Sequence, residues 1–168
     1  MAGQTIFKAQ APDMLNCTLV GQTRRGGVEY AISTVRKLFQ RKPTFITHRP
    51  SGLRGVINWN DRTFTVGTEQ HTWEEIQRPK GGVFSLAKEW CWSGPTYLAE
   101  QKKGQWFMSH SWGNDAPVAV LTKAKERIIG TSEPAELILS DDIEDEVERM
   151  FAVLVLVYSQ ADESDREM

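Results

Sequence analysis

Hydrophobic and polar positions alternate, or run apolar over short stretches, along most of the chain. Residues 5–9, 16–20, 28–34, 44–49, 53–59, 62–67, 83–88, 89–92, 96–101, 105–111, 118–123 and 136–140 each have the length and composition of a strand. Turn signals separate them. Arg24-Arg25-Gly26-Gly27 supplies glycines for positive φ, and Asn60-Asp61 tolerates left-handed backbone. Ser93-Gly94-Pro95, Lys102-Lys103-Gly104 and Asn114-Asp115-Ala116-Pro117 break the remaining runs. Thr72-Trp73-Glu74-Glu75-Ile76 reads as a single helical turn ahead of Pro79. About a dozen short strands at regular spacing predict an all-β sandwich or barrel.

The pattern changes near the end of the chain, at RMFAVLVLVY (149–158). As a helix, its apolar core Met150 to Tyr158 is about 13–14 Å long at 1.5 Å per residue, well short of a ~30 Å hydrocarbon layer, so it is not expected to span a membrane. Its valines favour a strand, but the residues before it favour a helix. Asp141 is placed to cap, Glu144 stands three residues on as in a capping box, and further acids lie at the positive end of the dipole. Ile143, Val147, Met150, Phe151, Leu154 and Tyr158 follow one helical face, while Ala152, Val153, Val155, Leu156 and Val157 fill the others. A helix that is apolar all round is buried all round. A dozen strands followed by such a helix, at about 141–160, predict a barrel with a helix through its middle. The 168 residues suit a single domain ending in a polar tail, 161–168, expected to be flexible.

Composition adds little to this, but charge adds something. Before Glu133 the chain holds 18 Lys/Arg against 10 Asp/Glu; from Glu133 on it holds 2 against 12. The net charge of -2 therefore hides a basic body and an acidic end. A basic body meets anionic partners, or is compensated by the acidic segment lying against it. Cys17 and Cys91 lie far apart in no metal or redox pattern, and MAGQTIFKAQ shows no basic and then apolar leader. The expected setting is cytoplasmic, with peripheral membrane association if the anionic partner is a lipid surface, and Asn16-Cys17-Thr18 is read as ordinary strand sequence rather than as a glycosylation site.

LRGVINWNDRTFTVG (53–67), TWEEIQRP (72–79), FSLAKEWCWSGPTYLAEQ (84–101) and AELILSDDIEDEVERMFAVLVLVYSQ (135–160) occur in that order. In these stretches the chain resembles the tubby-like/phospholipid-scramblase-like/LURP-one superfamily. It is most similar there to small stand-alone fungal proteins of a domain of unknown function with a tubby-like fold. They match the family's Trp-ending strand, short helical insertion, aromatic strands around a Gly turn, and last strand with central helix. The family's Tyr-x-Trp after the Gly turn is absent; Tyr97-Leu98-Ala99 follows instead, with Trp90 and Trp92 before the turn. The resemblance implies a 12-stranded barrel around a C-terminal helix. Its members include phosphoinositide binders and scramblase-like proteins, so it points to no single activity.

Catalytic chemistry is not visible. His48, His71 and His110 share no metal-ligand spacing with one another or with a Cys. In Ser109-His110-Ser111, strand neighbours point to opposite faces, which denies the histidine its serines. The carboxylates of 141–148 lack the glycine of a calcium loop. No phosphate loop or dinucleotide fingerprint occurs, and no catalytic residue, metal or cofactor is expected. The one constellation with functional content is VRKLFQRKPTFITHR (35–49): Arg36, Lys37, Arg41, Lys42 and Arg49, with Arg54 close behind and Phe39 and Phe45 interleaved. Basic side chains so dense suit anionic headgroups, with Arg adding bidentate phosphate contacts. The candidate activity is peripheral binding of anionic phospholipid or phosphoinositide. The alternatives are a protein-interaction module meeting an acidic partner with the same face, and a small-molecule carrier or hydrolase in an open barrel. Nucleic acid is not expected at a pI near 5.9.

Overall fold

The computed structural model describes residues 3–37, 40–82, 85–113, 116–125 and 127–167; the side chains of Arg36, Lys37, Gln40 and Arg41 lie outside the described set. The chain is mainly β, with thirteen antiparallel strands in one sheet and a long C-terminal helix among the described residues. The strands are β1 (Gln4–Ala9), β2 (Cys17–Thr23), β3 (Gly26–Lys37), β4 (Gln40–Arg49), β5 (Arg54–Asn58), β6 (Thr63–Val66) and β7 (Glu69–Thr72), then β8 (Gln77–Pro79), β9 (Lys88–Cys91), β10 (Thr96–Lys102), β11 (Gln105–His110), β12 (Ala119–Thr122) and β13 (Glu136–Ser140). Helix α1 (Trp73–Ile76) stands between β7 and β8, and α2 (Glu146–Arg166) follows β13. Each strand pairs with its neighbour in sequence, except that β1 joins β13 and that β7 and β8 are the two edges.

Those edges are consecutive in the chain. Only the four residues of α1 separate them, about 6 Å of helix at 1.5 Å per residue, so the sheet must curl until its ends meet. Aromatic contacts cross the seam. Phe64 of β6 stacks on Trp90 of β9 at 5.5 Å, and His71 of β7 meets Trp92 edge-on at 4.6 Å. The hydrogen-bonded ladder stays open there, and α1 fills the gap with buried Trp73 and Ile76. Its short turn is held by a capping box. Thr72 Oγ1 accepts from Glu75 N, and Glu75 Oε2 accepts from Thr72 N.

α2 lies in the curl. Residues Met150 to Tyr158 are all buried, on every face of the helix, and α2 contacts β5 and β6 of one wing as well as β11 and β12 of the other. Strand residues of alternate parity point at it: Phe7, Leu19, Ile46, Ile57, Phe64, Met108, Leu121, Leu137 and Leu139 are fully enclosed. Close approach sets one residue type. A Cβ on Gly55 of β5 would stand 2.7 Å from Met150 Sδ and 2.9 Å from its Cγ.

Four details differ from the expected pattern. The helix starts at Glu146, not 141, and its cap is Asp145, whose side chain accepts from Val147 N. Residues 141–145 are diverted by other bonds: Asp141 N donates to Gly3 O, and Arg149 Nη1 donates to Ser140 O and Ile143 O. At the other end α2 runs past 160 to Arg166 because Ala161 and Glu163 are still buried. Thirteen strands occur rather than twelve, since β7 and β8 form and residues 85–87 of the expected 83–88 strand do not. There Ser85 N donates to Gly82 O and Ala87 N to Ser85 Oγ; Val83 and Phe84 lie outside the described residues.

Candidate functional site

β3 and β4 form a hairpin longer than the sheet that flanks it. β2 covers β3 only as far as Ile32, opposite Cys17, and β5 covers β4 only down to Thr44, opposite Ile57. Beyond these points the two strands pair only with each other. The base of this ribbon is well tied. Thr34 Oγ1 and Thr44 Oγ1 are 2.6 Å apart, Trp59 Nε1 donates to Thr44 Oγ1, and Asn16 Oδ1 accepts from Thr34 N. The overhang carries four of the six basic residues. In its register Arg36 stands opposite Arg41 and Lys37 opposite Gln40, after a bulge between Thr34 and Arg36; Lys42 follows on β4. The side chains of Arg36, Lys37 and Arg41, and all of Phe39, lie outside the described residues.

Arg49 and Arg54 do not join them. Arg49 is eight residues from Arg41 along β4, roughly 27 Å at about 3.4 Å per residue, at the opposite end of the sheet. It pairs with Glu29 at 3.8 Å. Alternation with buried Thr44 and Ile46 sends Phe45 to the outer face, where Arg54 lies over its ring at 4.5 Å. The six residues thus split into a cluster of four on a projecting ribbon and two engaged elsewhere.

Strand direction fixes what surrounds the ribbon. β1, β3, β5, β10 and β12 run parallel to one another, so the loops that follow them open at one end of the sheet. That end holds the β3–β4 turn, Arg62, Lys102-Lys103 and Lys123, Lys125 and Arg127. The acidic run Asp141–Glu146 sits at the other end, beside Gly3 and Ser140. A cleft of about 480 Å³ opens at the basic end between the β1–β2 loop and residues 124–134, lined by Pro12, Pro134, Lys125 and Arg127.

Inside, two buried glutamates fasten α2, and neither was singled out by sequence. Glu148 accepts from Ser93 Oγ at 2.9 Å and Tyr97 Oη at 3.1 Å. Glu163 accepts from Trp106 Nε1 at 2.8 Å and from Gln101 Nε2, and Lys123 Nζ is 3.1 Å away. Burial and the neighbouring Glu148 carboxylate push the Tyr97 phenol well above its ordinary value. Burial depresses Lys88, whose ammonium donates to Tyr158 Oη at 3.4 Å beside a cavity of about 10 Å³ that has room for one water. His48 Nδ1 lies 2.6 Å from Ser51 Oγ, and burial lowers the histidine's pKa. His110 stacks between Tyr97 and Trp112, at 5.3 and 5.2 Å. Cys17 is buried, and burial raises its thiol to about 11, the behaviour of a packed, unreactive cysteine.

Among the described residues no group of three or more His, Cys, Asp or Glu could hold a metal ion, and no helix is long and apolar enough to cross a membrane. No protein-family model matches the chain, and no curated protein or solved structure does either.

Proposed function

We propose that the chain binds anionic phospholipid headgroups peripherally through the β3–β4 ribbon, and that its curled sheet is a tubby-like barrel around a central helix. One observation carries the reading: the register sets Arg36 across from Arg41, with Lys37 and Lys42 at the alternating positions of the same ribbon, which no other strand covers. Like charges directly opposite each other on a sheet are destabilising, and a phosphate bridging them offsets that cost with charge-assisted hydrogen bonds. The barrel interior is taken up by α2, so binding belongs on the exterior. The seam filled by α1 and the helix buried on every face support the tubby-like part of the proposal.

The test is co-sedimentation with phosphatidylserine and phosphoinositide vesicles at low and high salt. At about 1 kcal/mol per Lys/Arg near an anionic membrane, replacing Arg36, Lys37, Arg41 and Lys42 by Gln removes up to about 4 kcal/mol, roughly a thousandfold in affinity. Arg49→Gln with Arg54→Gln changes binding little. Equal binding by the quadruple variant, or no binding by the native chain, would sink the proposal.

A further inference from the structure

We infer that the tip of the β12–β13 connection, Ile128-Ile129, is a hydrophobic wedge that inserts into the bilayer whose headgroups the β3–β4 ribbon contacts; the inference rests on that headgroup reading. Ile128 is 104% exposed and Ile129 90%. Single exposed apolar side chains are ordinary on a protein surface. These two are different because they are adjacent, fully solvated and held out on a braced neck. Lys125 and Glu133 exchange both backbone hydrogen bonds, at 2.9 and 2.8 Å, and Arg127 Nη2 donates to Glu133 Oε1 at 2.7 Å. Gly130, at φ 102°, turns the chain at the tip.

The neck determines the occupant. It projects from the end of the sheet that also carries the basic ribbon, because β3 and β12 run in the same direction. The neck itself is charge-balanced, Lys125 and Arg127 against Glu126 and Glu133, with Arg127 paired to Glu133. An apolar point at the end that carries the basic ribbon complements a surface that is anionic outside and apolar beneath. The ribbon and the wedge are separate elements, so the reading assigns charge attraction to one and apolar insertion to the other.

An environment-sensitive fluorophore on Ile129→Cys, in a Cys91→Ser background with Cys17 buried, reports insertion directly. With phosphatidylcholine/phosphatidylserine vesicles its emission shifts to the blue; the same probe at Ser51→Cys, at the far end of the sheet, does not shift. Ile128→Ser with Ile129→Ser keeps the native melting temperature. It weakens binding about 100-fold in about 1 M salt, where charges are screened beyond about 3 Å and apolar burial dominates. If the native chain binds but the Ile129 probe does not shift, or if the double serine variant binds equally at all salt concentrations, insertion is wrong and headgroup binding stands. A native chain that does not bind these vesicles or phosphoinositide vesicles overturns both.

Discussion

Removing the Glu163 side chain should loosen the C-terminal half of α2. This carboxylate is 5% exposed, and three donors converge on it from one wing: Gln101 of β10, Trp106 of β11 and Lys123 just past β12. Glu163→Ala leaves the Trp106 indole N–H, on a residue only 3% exposed, without its acceptor, and leaves the Lys123 ammonium only Glu167, at 4.0 Å. Breaking a buried ion pair from one side costs about 3–5 kcal/mol. Lys123 is 31% exposed on its side chain and recovers water, so the low end applies, about 3 kcal/mol. With a urea slope of about 2 kcal/mol/M, the unfolding midpoint should fall by about 1.5 M.

The partners should respond unequally. Lys123→Met leaves the buried Glu163 carboxylate with its two neutral donors and no close cation, and should cost about 1–3 kcal/mol. Glu163→Gln keeps an acceptor for Trp106 but turns an amide N–H₂ toward another donor, and should cost less than Glu163→Ala, about 1–2 kcal/mol. Urea unfolding followed by tryptophan fluorescence reads all three. A loss below about 1 kcal/mol in Glu163→Ala would show that the carboxylate is not what holds the helix to this wing.

Gly55→Val should destabilise by about 1–3 kcal/mol, because its Cβ meets Met150 Sδ at 2.7 Å and its methyls reach further into the helix; an unchanged melting temperature would show that Met150 moves aside at no cost. Stability should fall as pH drops through the range just below 6.5, since burial holds His48 below its unfolded value and the unfolded chain takes up the proton first; His48→Gln should flatten that limb of a denaturation–pH series. It should fall again above about pH 10, where the unfolded chain ionises tyrosines that burial holds protonated at Tyr30, Tyr97 and Tyr158; a flat alkaline limb would contradict this.

Alternation made most strands legible, because a strand with one face on a core shows it residue by residue. The edge strands escaped for the same reason. Glu69-Gln70-His71-Thr72 and Gln77-Arg78-Pro79 send no apolar residue inward and take strand form from pairing alone. The helix was legible from its unbroken apolar surface, but its start was not. Asp141 and Asp145 are equally good caps locally, and the contest is decided by Arg149 and Gly3, which bond to the intervening segment. The basic constellation is dense in sequence, and the fold spreads it over two ends of the sheet. Arg49 and Arg54 are near Arg41 in sequence but a strand length away in space, and only the register reveals it. Glu148 and Glu163 were hidden among twelve acids of the last 36 residues, because nothing in sequence distinguishes a carboxylate that meets an indole N–H from one that meets water.

The direction of α2 converts the charge asymmetry of the sequence into one of space. Because α2 starts beside Ser140 and Gly3, its acid-rich approach, Asp141 to Glu146, lies at the end of the sheet where β3 begins, away from the β3–β4 turn. Compensation does occur within the fold, but at the helix's far end. There Lys123 meets Glu163 and Glu167, and Arg166 meets Asp162 at 3.1 Å. Those contacts use acids of the last two helical turns and cations other than those of the ribbon. The acidic run at the helix start therefore does not neutralise the ribbon, although its charges bring the net value close to zero. The acid-rich approach and the ribbon thus stand at opposite ends of the helix axis. On the proposed lipid reading, an anionic surface attracts the ribbon and repels that approach, and so turns the ribbon's end inward before contact, less strongly as salt rises. On the same reading the ribbon and the Ile128-Ile129 tip meet the surface together, because both follow strands that run the same way.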